Sequence, residues 1–293
     1  MLFDRKALDG QRILITGGGS GLGKVIAEGL LEHGAEIYIT GRREPVLEEA
    51  LEELDAIAPN RVHYRVNDIR DADAVESMMD SVWHDAPLTG VINNAGANFL
   101  SPTVDISSRG YRAICSTVMD GSYYVSTAAG RRWIADGRPG NILSNLVTWV
   151  WTGSAYVVPA AMAKSAIHAM TMSLAVEWAS AGIRVNAIAP GPFPTKGAWD
   201  KLDPTGKGLG ATDPATVPLG RFGDVKELQN LVIFLMSDGC AYLTGHTVAI
   251  DGAHHLAGPN TFATLSQLTA EDWREARESI KASVEEEKQQ RSS

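Results

Sequence analysis

Short apolar runs bounded by turn residues alternate along the chain with stretches whose apolar positions recur every three or four residues. Arg12–Thr16 (RILIT) reads as a buried strand. After a glycine cluster, Leu22, Val25, Ile26, Gly29 and Leu30 keep to one helical face, and Gly34 is placed to end that helix. Glu36–Thr40 is a second strand, and Pro45 suits the first turn of a helix reaching about Ala58. A third strand, Arg61–Val66, precedes a helix over Asp71–His84, and a short fourth strand, Gly90–Asn93, runs into Asn94-Ala95-Gly96. The remaining elements are a long helical region over Ser107–Asp136, a strand at Asn141–Ser144, an alanine-rich helix from Pro159 to about Ser180, and strands at Arg184–Ala189 and Thr247–Ile250. Repeated strand–helix units of this length predict an α/β fold with one doubly wound parallel sheet, right-handed crossovers and helices on both faces.

No linker, repeat or charge block divides this pattern, so residues 1–260 are expected to form one domain and 261–293 a helical extension. In that extension Thr269 and Asp272 stand at capping-box spacing, and Trp273, Ala276, Ile280 and Val284 would form an apolar stripe. Pro190–Pro218 is too long and too rich in Gly, Pro and Thr for an ordinary connection and reads as a substrate loop. The chain has 293 residues, 44% of them hydrophobic, enough for a large core. Its net charge of −9 offers no basic footprint for nucleic acid. No run approaches the ~18 apolar residues of a membrane span. Two cysteines, Cys115 and Cys240, make no disulfide framework, and neither end reads as a signal peptide or a peroxisomal address, so the expected home is the cytoplasm.

The first chemistry lies between the first strand and helix, in Thr16-Gly17-Gly18-Gly19-Ser20-Gly21-Leu22-Gly23. Glycines let main chain approach a pyrophosphate, and the helix N-terminus offers unpaired N–H groups and a partial positive charge. The second strand then ends in Thr40-Gly41-Arg42-Arg43. A site for NAD places a carboxylate there for the ribose hydroxyl; two guanidiniums instead suit the extra phosphate of NADP(H).

These motifs, with Asn93-Asn94-Ala95-Gly96, Lys164 in the alanine-rich helix and Arg184-Val185-Asn186-x-x-x-Pro190-Gly191, resemble the short-chain dehydrogenase/reductase family. The resemblance implies a Rossmann-like fold and a homo-oligomer, either a dimer or a tetramer. It implies that Gly17, Gly19, Ser20, Gly21, Leu22 and Gly23 hold the diphosphate, with Arg42 and Arg43 beside them. Asp68 would contact adenine, Asn94, Ala95 and Gly96 would line the cofactor groove, Lys164 would hold the ribose, and Pro190, Gly191, Pro192 and Phe193 would border the nicotinamide. A narrower likeness, to mitochondrial-type 2,4-dienoyl-CoA reductases, is carried by Asn98-Phe99, Tyr156-Val157-Val158-Pro159, Ala175-Val176-Glu177-Trp178 and Thr195-Lys196-Gly197-Ala198 with Leu202-Asp203-Pro204-Thr205-Gly206. It implies NADPH-dependent reduction of an unsaturated acyl-CoA, with Arg70 and Lys201 near coenzyme A and Phe99 and Trp149 toward the acyl group.

The chain departs from that family where proton transfer is done. Most members pair a tyrosine with the lysine one helical turn later; here Ala160 stands four residues before Lys164. Asp120 occupies the usual asparagine position, Val147 the serine position and Trp149 the upstream tyrosine of the dienoyl reductases. Oxidising an alcohol or reducing a ketone needs an acid/base at the reacting oxygen, whereas reducing a conjugated thioester places hydride on carbon. Asp120, tuned by Lys164, is the candidate for a water-mediated proton relay, set against its plain reading as a helix-face carboxylate. Tyr156 is the second candidate, set against a role as apolar wall. Trp149 and Trp151 read as pocket lining and His168 as a packed helix residue, while His254 and His255 lack the co-ligands for a metal site. The leading expectation is an NADPH-dependent enoyl- or dienoyl-thioester reductase. The alternatives are a carbonyl reductase or alcohol dehydrogenase with a relocated acid, and a protein that binds NADP(H) without turnover.

Overall fold

A computed structural model describes residues 3–98, 100–194, 213–258, 269–272, 274–275 and 278. Seven parallel strands, β1 (Arg12–Thr16), β2 (Glu36–Gly41), β3 (Val62–Val66), β4 (Gly90–Asn93), β5 (Gly140–Asn145), β6 (Ile183–Pro190) and β7 (Thr247–Ile250), form one sheet in the order β3-β2-β1-β4-β5-β6-β7. The order reverses between β1 and β4, which opens a crevice beyond the carboxyl ends of these strands.

Alternation along each strand builds a core on both faces. Ile13 and Ile15 of β1 pack with Ile37 and Ile39 against α1 (Gly21–Leu31), α2 (Glu44–Asp55) and α8 (Val225–Met236). Leu14 and Tyr38 point the other way, toward α3 (Ala72–Asp85), α5 (Gly121–Asp136) and α7 (Val158–Trp178). There Trp133 is fully buried, and its indole N–H donates to the Leu88 carbonyl at 2.7 Å. Full burial of each such side chain contributes about 1.5–3 kcal/mol, so the two faces stabilise the sheet far more than any surface pair.

Local chemistry sets the ends of the helices. The Asp71 side chain accepts from the main-chain N–H groups of Asp73 and Ala74 and starts α3. The expected helix to Ala58 stops at Asp55, whose carboxylate takes the Asn60 N–H at 2.7 Å while Asn60 turns the chain with φ +62°. The long helical region resolves into α4 (Ser108–Cys115), a π turn at Ser116–Asp120 and then α5. The alanine-rich helix ends at Trp178 and passes through a 3₁₀ turn, Ala179–Ala181, to Gly182. Helix α8 was not expected from the sequence; a reciprocal cap between Asp224 and Glu227 begins it, and Leu228, Val232 and Ile233 bury its inner face. A short helix, α6 (Trp149–Thr152), precedes α7, and α9 (His254–Ala257) follows β7.

The chain packs as two units, Met1–His255 and Leu256–Ser293. In the second, the backbone is helical at 270–272, 274–275 and 278. The expected cap is formed there: the Asp272 carboxylate accepts from the Thr269 N–H at 2.6 Å, and the Asp272 N–H donates to the Thr269 hydroxyl at 3.2 Å. The apolar stripe through Trp273, Ala276, Ile280 and Val284 lies outside the described residues, as do residues 195–212 of the expected substrate loop.

Candidate active site

A cleft of about 420 Å³ opens at the carboxyl edge of the sheet, where the chain leaves β1, β2, β3, β4 and β5. Gly17, Gly19, Ser20 and Leu22 form its floor, Arg42 and Arg43 one end, and Asp68, Asn94, Ala95 and Gly96 its walls. Sterics explain the glycine spacing. Gly17 has φ +65°, and a Cβ there would lie 3.0 Å from the Ala95 Cα. A Cβ on Gly23 would overlap the Gly17 carbonyl and the Asn94 amide. Ser20 caps α1 in an extended conformation without spending its side chain on the helix, so the first N–H groups of α1 remain for an anion.

Asn94 fastens this cradle. Its Nδ2 donates to the carbonyls of Thr16 at 3.0 Å and Gly17 at 3.2 Å, and its Oδ1 accepts from Asn145 Nδ2 at 2.9 Å. The Thr16 hydroxyl accepts the N–H groups of Asn94 and Ala95, both at 3.0 Å. One polar network therefore joins the ends of β1, β4 and β5. Asp68 is clamped by Arg70, whose Nε donates to both carboxylate oxygens at 2.9 and 3.0 Å. Those bonds hold the Asp68 carboxyl below the usual range, and Arg42 adds to the effect. Arg70, expected near coenzyme A, is thus engaged on the Asp68 side of the cleft.

The other half is built differently. The Lys164 ammonium, on α7, donates to the Asn145 carbonyl, and desolvation brings its pKa down to about 8. Ala160 is buried among Ile114, Val118, Leu146 and Ile167, with Trp149 and Val150 packed on that cluster, so the place of the family tyrosine is apolar. Asp120 closes the π turn whose Thr117 lines the cleft, and it is half-buried. Burial is what lowers the ammonium, and no ion pair joins it to Asp120 among the described residues. Tyr156 lies outside the helix, as Pro159 implied, but it is 61% exposed. Its φ is +64°, its carbonyl accepts the Ser101 N–H at 3.0 Å, and its phenol has no partner among the described residues.

Pro192 and Phe193 line a separate cavity of about 110 Å³ with Asp251, and Gly191 presses against Asp251 so closely that a Cβ would lie 2.5 Å from that side chain. Trp149 borders an open depression of about 540 Å³ with Val158 and Met162. Sequence reasoning also passed over a chain of contacts beside this half. The Asp251 carboxylate holds His255 Nδ1 at 2.6 Å, the His255 ring stacks on Trp151 with centroids 5.0 Å apart, and His168 meets the Trp151 edge. It likewise passed over Asn67, Thr117 and Asn145, which line the cleft. Phe99 and Lys201 lie outside the described residues. Among the described residues no three His, Cys, Asp or Glu side chains converge as metal ligands, and no helix is long and apolar enough to cross a membrane.

A parallel sheet with a glycine cradle at its reversal point defines a nucleotide-binding fold of Rossmann type. The profile of a family described as enoyl-(acyl carrier protein) reductase matches residues 17–255, and the chain belongs to the short-chain dehydrogenase/reductase family. It is 36% identical over 250 residues to a Bacillus subtilis protein named a probable 2,4-dienoyl-CoA reductase, covering 85% of this chain and 98% of that one. The crystal structure of a short chain dehydrogenase from Bacillus anthracis superposes with a TM-score of 0.76 at 36% identity, over 86% of this chain and 98% of the other. A gluconate 5-dehydrogenase from Burkholderia cenocepacia, solved with NADP and tartrate, gives a TM-score of 0.79 at 29% identity, over 86% and 97% of the two chains. The cleft fits a nicotinamide nucleotide: its glycines leave the room that a Cβ would fill, and on its wall the buried Asn67 Nδ2 has no protein partner among the described residues.

Proposed function

We propose that the protein is an NADPH-dependent reductase of a 2,4-dienoyl or enoyl acyl-CoA thioester. The observation that carries this reading is the apolar packing around Ala160, one helical turn from a half-buried lysine whose pKa desolvation brings down to about 8. A ketone or alcohol substrate needs an acid at its oxygen, and the side chain that supplies one in most of the family is replaced by a methyl group. A conjugated thioester takes hydride at carbon and needs its proton at another carbon, so a less directly placed donor suffices. The dienoyl-CoA reductase name borne by the Bacillus subtilis relative supports the same substrate class.

NADPH, when bound, would supply the hydride. Gly17, Gly19, Ser20 and the start of α1 would hold its diphosphate, and Arg42 and Arg43 would meet the 2′-phosphate. Lys164 holds a proton at Nζ, anchored on the Asn145 carbonyl, and a pKa of about 8 leaves both protonation states accessible near neutral pH. Asp120, half-buried on the turn that carries Thr117, is the carboxylate that would hold a water to relay this proton. Trp149 would border the acyl group, and Pro190 and Gly191, where β6 ends, the nicotinamide. Tyr156, exposed and with a phenol that has no partner among the described residues, takes no part, which argues against the carbonyl-reductase alternative. The exposed apolar side chains Tyr123 on α5 and Val176 on α7, 53% and 82% exposed, suit burial against a second copy of the chain.

The test is direct. Purified protein mixed with NADPH and a 2,4-dienoyl-CoA should consume NADPH, followed at 340 nm, and do so much faster than with a simple ketone. Absence of oxidation at high enzyme concentration would overturn the proposal.

A further inference from the structure

We infer that Asn67 is a specificity residue for the nucleotide, its carboxamide donating beside Arg42 to the phosphoryl group on the adenosine 2′-oxygen. The inference deepens the NADP(H) reading above and rests on it. Asn67 immediately follows β3, and its main-chain N–H donates to the Gly41 carbonyl at 2.9 Å, which sets it level with Arg42 at the end of β2. Its side chain lines the cleft together with Arg42, Arg43 and Asp68.

Two observations give this position its meaning. Asn67 is only 8% exposed, yet its carboxamide takes no partner among the described residues, and Nδ2 is sealed from water without an acceptor. A buried amide left unpaired is destabilising, whereas leucine, of the same shape, would carry no such penalty. Half a turn about χ2 presents the NH₂ group to the cleft, where a phosphoryl oxygen is the natural acceptor. The second observation is electrostatic. Asp68 would repel a dianion at this corner, but Arg70 clamps its carboxylate and Arg42 lies near enough to lower it further. The corner is left with cationic excess, and a phosphoryl group with three acceptor oxygens has room for an amide donor beyond the guanidiniums.

The experiment is calorimetry of the full chain with NADPH and with NADH, for the natural protein, Asn67→Leu and Asn67→Asp, paired with melting curves of the nucleotide-free proteins. Asn67→Leu should weaken NADPH about tenfold, the loss of one hydrogen bond to a charged group, leave NADH unchanged and melt no lower than the natural protein. Asn67→Asp should weaken NADPH further, again sparing NADH. Equal loss for both nucleotides, or no loss for either, overturns the assignment, as does a lower melting temperature with both affinities kept. Natural protein that binds NADH as tightly as NADPH defeats the parent reading; preference for NADPH that survives Asn67→Leu defeats this inference alone.

Discussion

The two ends of the cleft are built on opposite principles. Around β1, β2 and β4 the work is done by main chain: glycines without side chains, free helix N–H groups, and an asparagine that ties loops together. Around β5, α6 and α7 it is done by side chains, and there the chain departs from its family, with Ala160, Val147 and Trp149 where polar groups are usual. Main-chain recognition tolerates drift in the surrounding sequence because it needs only space and geometry. Side-chain chemistry changes with a single substitution. The first end therefore keeps its ligand while the second can take up another substrate.

The sharpest way to break this contrast is at Lys164. Lys164→Met should reduce turnover by about 10²–10⁴-fold, the usual size of one acid–base contribution, while NADPH binding, read by fluorescence, weakens far less. In the natural protein the rate should fall as pH rises through about 8, where Nζ loses its proton. The same group makes a stability prediction of opposite sense: the folded chain holds this proton less tightly than the unfolded one, so stability rises between about 8 and the ordinary 10.5. A pH–rate profile and urea midpoints across that range check both.

Gly23→Ala tests the main-chain end. Its methyl would collide with the Gly17 carbonyl and the Asn94 amide, and such overpacking costs about 1–3 kcal/mol, to be read as weakened binding of both nucleotides in calorimetry. Asp251→Asn comes next. The carboxylate accepts from the Ala253 and His255 N–H groups and from the His255 ring, so the change should lower the melting temperature by a few degrees, the equivalent of about 1–2 kcal/mol. The smallest effect is expected from Arg70→Ala. The pair with Asp68 is partly exposed, worth about 0.2–1 kcal/mol, and its clearest readout is the Asp68 carboxyl returning toward its ordinary pKa in NMR titration.

The main-chain end was legible in the sequence for the same reason that it tolerates drift: spacing of glycines and the placement of Arg42 are local properties. Strands β4 and β7 lie where their apolar runs placed them, and Gly17, Arg42, Asp68 and Asn94 meet in one cleft. What could not be read depends on contacts distant in sequence. Asn67 looks like any strand-end asparagine until its amide is seen to lack a partner, and the link from Asp251 through His255 to Trp151 joins residues about a hundred positions apart. Helix α8 was missed because its cap, Asp224 with Glu227, follows a Gly- and Pro-rich stretch that hides the start of the periodic pattern.

The π turn at Ser116–Asp120 carries one residue more than an α-helical turn would hold, and that surplus sets the phase of everything after it. Each residue of an α-helix advances the side-chain direction by about 100°, a quarter of a revolution and slightly more. Deleting Met119 would let the segment relax into regular helix, but Val125, Ala129 and Trp133 would swing off the sheet together. The bulge is thus a register pin, aligning a reactive edge at one end of the rod with the buried indole at the other.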